Sequence, residues 1–173
     1  MSDALVNRVA SSGLITLKPE DWAPTILPEV FDLKDYLFMA LILKEQDFRS
    51  SMKEHNWTQY KDRVLCVYCS ADAIIPSWAY MLVATMASSH AKEVFFGSKE
   101  QWISKQLLQY IEQIDLTAYA DQMVIIKGCS DEVAIGPEIY VALTSRLVPV
   151  VKSLMFGEPC STVPVYKRPK ATL

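Results

Sequence analysis

The chain has 173 residues, of which 51% are hydrophobic and 21% charged, with a net charge of −3. That length suits a single domain with a sizeable core. The weakly acidic balance gives no electrostatic reason to expect nucleic acid or an anionic membrane as a partner. The first twenty residues lack the basic start and apolar run of a signal peptide, and the longest apolar stretches, residues 37–43 and 78–87, are too short to span a bilayer. A cytoplasmic address is expected, and thiols stay reduced there. The four cysteines therefore point to free, catalytic or metal-bound thiols rather than disulfides. No internal repeat or low-complexity run stands out in the residue identities.

Taken in order, residues 14–17 (LITL) read as a short strand closed by Lys18-Pro19-Glu20-Asp21, and residues 29–33 as a second strand after the loop marked by Pro24 and Pro28. Residues 37–43 are apolar throughout and are expected to be buried. Residues 45–55 read as a surface helix, with Phe48 and Met52 four apart and Glu45 and Arg49 as a favourable charge pair. Residues 1–60 are thus expected to form an irregular cover on a β/α core of residues 61–173, within one domain.

From residue 61 the pattern is regular. Strands are expected at 64–68, 94–97, 123–127 and 151–156. Between them, helices are expected at 77–89, after the capping box Ser98-Lys99-Glu100-Gln101 with Ile103, Leu107, Tyr110 and Ile114 on one face, and from Gly136-Pro137 with Ile139, Leu143 and Leu147 inward. The remainder, residues 157–173, reads as a closing loop and tail, with the basic run Lys167-Arg168-Pro169-Lys170 as a solvated end. This alternation predicts an α/β fold with a mostly parallel four-stranded core sheet and flanking helices, in the flavodoxin-like order 2-1-3-4.

The chemical signal lies in the cysteines. Three of the four are followed by serine: Cys69-Ser70, Cys129-Ser130 and Cys160-Ser161. Each pair follows a predicted strand, and in the expected order all three thiols reach the carboxyl edge of one sheet, where ligands of open α/β sheets bind. Three thiols in a reducing compartment suit a soft metal, zinc or an iron–sulfur cluster with an incomplete cysteine set. Asp72, in Cys69-Ser70-Ala71-Asp72, is the expected fourth ligand or a general base, although an Asx turn explains it about as well. Glu158, Asp131, Glu132 and Lys127 stand nearby, and Lys127 could lower a thiolate pKa.

Cys66 and Cys69 have the C-x-x-C spacing, but positions three apart on a strand face opposite ways, so Cys66 is expected in the core. His55 and His90 are expected at the other end of the strands, away from the thiols. Two rival readings remain. One is a thiol enzyme using Cys69, Cys129 or Cys160. The other is an interaction module in which apolar surface from residues 20–43 forms a homodimer interface.

The segments SADAIIPSWAYMLVA, KGCS and FGEPCSTVPVYKR, together with LVNRVASSGL, FDLKDYLF and LILKEQDFR, resemble a bacterial domain-of-unknown-function family, DUF2480, over the whole chain. The resemblance carries no activity with it. It implies an association with iron–sulfur assembly, which favours a metal-binding role with iron–sulfur assembly proteins as partners.

Overall fold

Two sheets, one wholly and one mostly parallel, organise the chain, and each is built around one short run of apolar, β-prone residues. The computed structural model describes residues 14–128, 135–158 and 161–170. Its strands are β1 (Leu14–Leu17), β2 (Glu29–Asp32), β3 (Val64–Tyr68), β4 (Glu93–Phe96), β5 (Met123–Ile126), β6 (Ser153–Glu158) and β7 (Ser161–Lys167). Its helices are α1 (Glu45–Glu54), α2 (Ser77–Ala87), α3 (Lys99–Gln113) and α4 (Pro137–Leu147). The fold class is α/β, with a mostly parallel four-stranded sheet flanked by helices. Two compact units result, Pro24–Ile103 on one side and Met1–Ala23 with Ser104–Leu173 on the other.

In the unit Pro24–Ile103 the sheet has the order β2-β3-β4 and all pairings are parallel. The connections run through α1 and α2, because adjacent parallel strands need long crossovers. Phe31, Leu65 and Val67 meet Phe48 and Met52 of α1 and Ala79, Val83 and Ala87 of α2 in one buried cluster. Each large apolar side chain buried this way is worth about 1.5–3 kcal/mol. The expected pair Glu45–Arg49 is present at 2.8 Å but exposed, so it contributes only a few tenths of a kcal/mol.

In the other unit the sheet runs β1-β5-β6-β7, with β1, β5 and β6 parallel and β7 antiparallel to β6. Val124, Ile125 and Ile126 are buried, as a strand covered on both faces requires. Ile139, Leu143 and Leu147 of α4 have no exposed surface, matching the periodicity of that helix. On α3 the inward face uses Leu107 and Ile111, while Tyr110 is turned partly to solvent and stacks on Trp22 at 5.1 Å. The capping box opening α3 is reciprocal: Ser98 N–H donates to Gln101 Oε1 at 2.8 Å and Gln101 N–H donates to Ser98 Oγ at 3.3 Å.

Several expectations need correction. The strands predicted at 64–68, 94–97, 123–127 and 151–156 do not share one sheet in the order 2-1-3-4. The first two share a sheet with β2, and the last two share the other with β1 and β7. Alternation of strands and helices shows that neighbours are parallel but not which strands they are, and the short N-terminal strands β1 and β2 decide that. Of the stretch expected as a cover, residues 14–60 accordingly supply a strand to each sheet and a crossover helix. Residues 37–43 are not buried either. Phe38 and Ile42 form an isolated bridge around Met39 and Ala40, both at positive φ, and Met39 is 77% and Ile42 60% exposed. The tail is also ordered further than expected: residues 161–167 form β7, and Arg168 pairs with Asp121 and donates to the Val150 carbonyl at 2.6 Å. Among the described residues no helix is long and apolar enough to cross a membrane.

His55 terminates α1 inside an aromatic cluster. Its ring nitrogens lie 3.2 Å from the Tyr36 hydroxyl and 3.1 Å from the Tyr60 hydroxyl, and Phe31 and Trp57 pack on the ring. Burial pushes the imidazole below its ordinary pKa of 6.5, so the folded chain favours the neutral ring. Its contribution to stability is complete above pH 6.5 and is lost as the pH falls from there through the depressed folded value. Melting temperatures between pH 7.5 and 5 should fall on acidification, and His55→Gln should flatten that limb. An unchanged pH profile in His55→Gln would show that the ring does not titrate against folding.

Candidate functional site

The expected gathering of Cys69, Cys129 and Cys160 at the edge of one sheet does not follow, because β3, which precedes Cys69, belongs to the sheet β2-β3-β4, and β5 and β6, which precede Cys129 and Cys160 in sequence, belong to the other. In the unit Pro24–Ile103, β3 ends at Tyr68 and Cys69 follows it, half-buried, with Sγ 3.7 Å from the Ala71 carbonyl it donates to. The adjoining Ser70 N–H donates to Asp32 Oδ1 at 3.0 Å, and Lys34 N–H donates to the same oxygen at 3.0 Å. Burial opposes ionisation of Asp32, but the hydrogen bonds from the Ser70 hydroxyl and N–H and from Lys34 N–H outweigh it and hold the carboxyl below its usual range. Asp32 thus fixes the Cys69 loop to the end of β2, the neighbouring strand.

Tyr80, in the first turn of α2, faces the same edge. Burial raises its hydroxyl pKa, and its proximity to Cys69 and Asp32 raises it further. Its ring meets Phe96 edge to face at 5.1 Å, an arrangement the ring quadrupoles favour. Asp72 is exposed in the loop between Cys69 and α2. Neither Asp32 nor Tyr80 was singled out from the sequence. The Asp32 signal was available, since an aspartate leaving a strand two residues before Lys34 is an Asx cap.

In the other unit, β5 and β6 lie side by side, with Ile126 paired to Phe156. Lys127 and Glu158 extend past that pair and form an ion pair at 3.0 Å, so the Lys127 ammonium lies against a carboxylate. Gly128 lies against the Phe156 ring, where an added Cβ would come within 2.0 Å of Cζ. Phe156 in turn meets Tyr140 of α4 edge to face at 5.4 Å. Cys129, Cys160, Asp131 and Glu132 lie outside the described residues. By chain position, Cys129 comes directly after Gly128, and Cys160 is one of the two residues joining β6 to β7.

Cys66 is a core residue, as its strand position requires. It has no exposed surface. Burial first, then the charges of Glu93 and Glu100 against the opposing Lys99, pushes its thiol up to about 11, so it is neither a nucleophile nor a ready ligand. His90 sits at the far end of β3, where its carbonyl accepts from Asp62 N–H at 3.3 Å. Among the described residues there is no group of three or more His, Cys, Asp or Glu side chains placed to hold a metal ion.

No curated protein and no solved structure matches the chain. The sequence model of one family, described as a protein of unknown function (DUF2480), matches residues 3–168. With that match spanning nearly the whole chain, and with the residues that first suggested the resemblance inside it, the protein belongs to the DUF2480 family.

Proposed function

We propose that this protein binds a soft metal, as zinc or an iron–sulfur cluster, through cysteine thiolates that follow its strand ends, with Cys129 and Cys160 of one unit and Cys69 of the other as the candidate ligands. Asp72 is the candidate oxygen ligand beside Cys69, in a site otherwise open, and the protein serves cluster maturation or transfer beside iron–sulfur assembly proteins. The observation that carries the reading is positional. Cys129 and Cys160 follow the carboxyl ends of the adjacent strands β5 and β6 of one sheet, and Cys69 follows the carboxyl end of β3 in the other sheet. Ligands of open α/β sheets gather at such ends, and reduced thiols there favour soft cations. So small a set of thiolates falls short of the closed set of structural zinc or of a full cluster set, and a labile site suits delivery better than scaffolding.

The test is metal analysis and an absorption spectrum of the full chain purified without oxygen. Zinc or iron bound in proportion to the chain is expected, and Asp72→Asn should weaken its retention without changing the fold. A chain that holds no metal and takes up none from added zinc or ferrous iron would overturn the proposal. Tight retention indifferent to Asp72→Asn would remove the argument for transfer.

A further inference from the structure

The two units match each other element by element. The parallel order β2-β3-β4 in one is β1-β5-β6 in the other. A short 3-10 turn follows β2 at Leu33–Tyr36 and follows β1 at Pro19–Trp22; another precedes β3 at Trp57–Tyr60 and precedes β5 at Thr117–Tyr119. From helix to strand end the correspondence is a constant shift of 60 positions, from Ser77 and Pro137 through to Gly97 and Gly157. Both helices have 11 residues, and their buried positions coincide: Ala79 with Ile139, Val83 with Leu143, Ala87 with Leu147.

Irregular features coincide too, and regular packing does not demand them. Asp62 and Asp121, just before β3 and β5, both have φ of 59°. Their N–H groups donate to the carbonyls of His90 and Val150, again 60 positions apart. Lys92 N–H bonds to the Arg63 carbonyl at 2.8 Å, and Lys152 N–H bonds to the Gln122 carbonyl at 2.8 Å. Gly97 and Gly157 both have positive φ. The edge-to-face pair Tyr80–Phe96 reappears as Tyr140–Phe156. A positive φ at a non-glycine residue is uncommon, so two such aspartates at matching places do not arise from two unrelated modules.

We infer that the chain is an internal duplication of one βαβαβ module, with the second copy lying in sequence between β1 and α3 of the first, and that Cys69-Ser70 and Cys129-Ser130 are one functional element present twice. Those cysteines stand 60 positions apart, the shift of the helices that follow them; Gly128 is the one extra residue before the second. Between positions 77–97 and 137–157 few identities survive, and two of them are Tyr80/Tyr140 and Phe96/Phe156, which line the matching apolar grooves of the two units. Cys160 has no such counterpart, since Glu100 stands 60 positions before it. The assignment of ligand class rests on the metal reading above; the equivalence of the two cysteines does not. Cys69 and Cys129 contribute alike, and Cys160 is an addition in one copy.

Two measurements on the full chain separate these points. Metal per chain should fall to the same level in Cys69→Ser and Cys129→Ser. In metal-free protein, iodoacetamide should alkylate Cys69 and Cys129 at matching rates, each thiolate displacing iodide, while Cys66 stays unmodified. Loss of metal in Cys129→Ser but not in Cys69→Ser, or an inert Cys69 beside a reactive Cys129, would overturn the equivalence and take Cys69 out of the ligand set, with metal binding itself left to Cys129 and Cys160. A wild-type chain without metal but with matching alkylation rates would support the equivalence and remove the metal reading.

Discussion

Cys129→Ser is expected to strip most of the metal from the full chain, while Cys66→Ser leaves metal per folded chain unchanged. A serine hydroxyl is a poor ligand for soft cations, so replacing one thiolate of an incomplete set removes affinity that the remaining groups cannot restore. Cys66 lies within β3 rather than after a strand end. Its side chain is enclosed in the core, and with its thiol pushed up to about 11 it stays protonated at neutral pH. Burying a hydroxyl in place of that sulfur costs roughly 1–3 kcal/mol of stability, so Cys66→Ser should melt earlier yet bind as before. Metal per chain, measured on the folded fraction of each variant, reads the difference. Equal losses would mean that the C-x-x-C pair Cys66 and Cys69 takes part after all.

Gly157→Ala should destabilise the fold more than Gly97→Ala, although both glycines occupy corresponding places. Gly157 has φ of 119° and Gly97 of 139°, a region that side-chain-bearing residues avoid, and strain of this kind costs about 1–3 kcal/mol. The surroundings separate the two. A Cβ at Gly157 would lie 2.6 Å from the backbone oxygen of Ser161, which the β6–β7 pairing holds in place. At Gly97 the nearest atoms are Gln101 Oε1, also at 2.6 Å, and Phe95 Cε1 at 2.8 Å, both on side chains rather than backbone. That oxygen can move, at the loss of the capping bond it accepts from Ser98 N–H. Thermal unfolding of the two variants decides the matter, because about 1 kcal/mol shifts the melting temperature by roughly 2–4 °C in a chain of this size. Equal shifts would show that the Ser161 backbone yields as easily as the Gln101 side chain.

The sequence by itself determined the local elements, because their causes are local. The strand Val64–Tyr68, the helix opening at Pro137 with Ile139, Leu143 and Leu147 inward, and the reciprocal cap at Ser98 all follow from periodicity and from the hydrogen-bonding reach of a few neighbouring side chains. The core position of Cys66 followed from strand alternation in the same way. Pairing between strands was decided only by the tertiary structure. β5 lies between β1 and β6, and β3 between β2 and β4, and parallel neighbours can be separated by any length of chain, so no local pattern records the choice. The same holds for Asp32, which reaches the Cys69 loop from 38 residues earlier. It holds also for the duplication, whose copies keep backbone angles and packing positions while replacing most side chains. Cores tolerate such replacement when volume and pattern are kept, so the likeness survives in geometry after it has faded from residue identity.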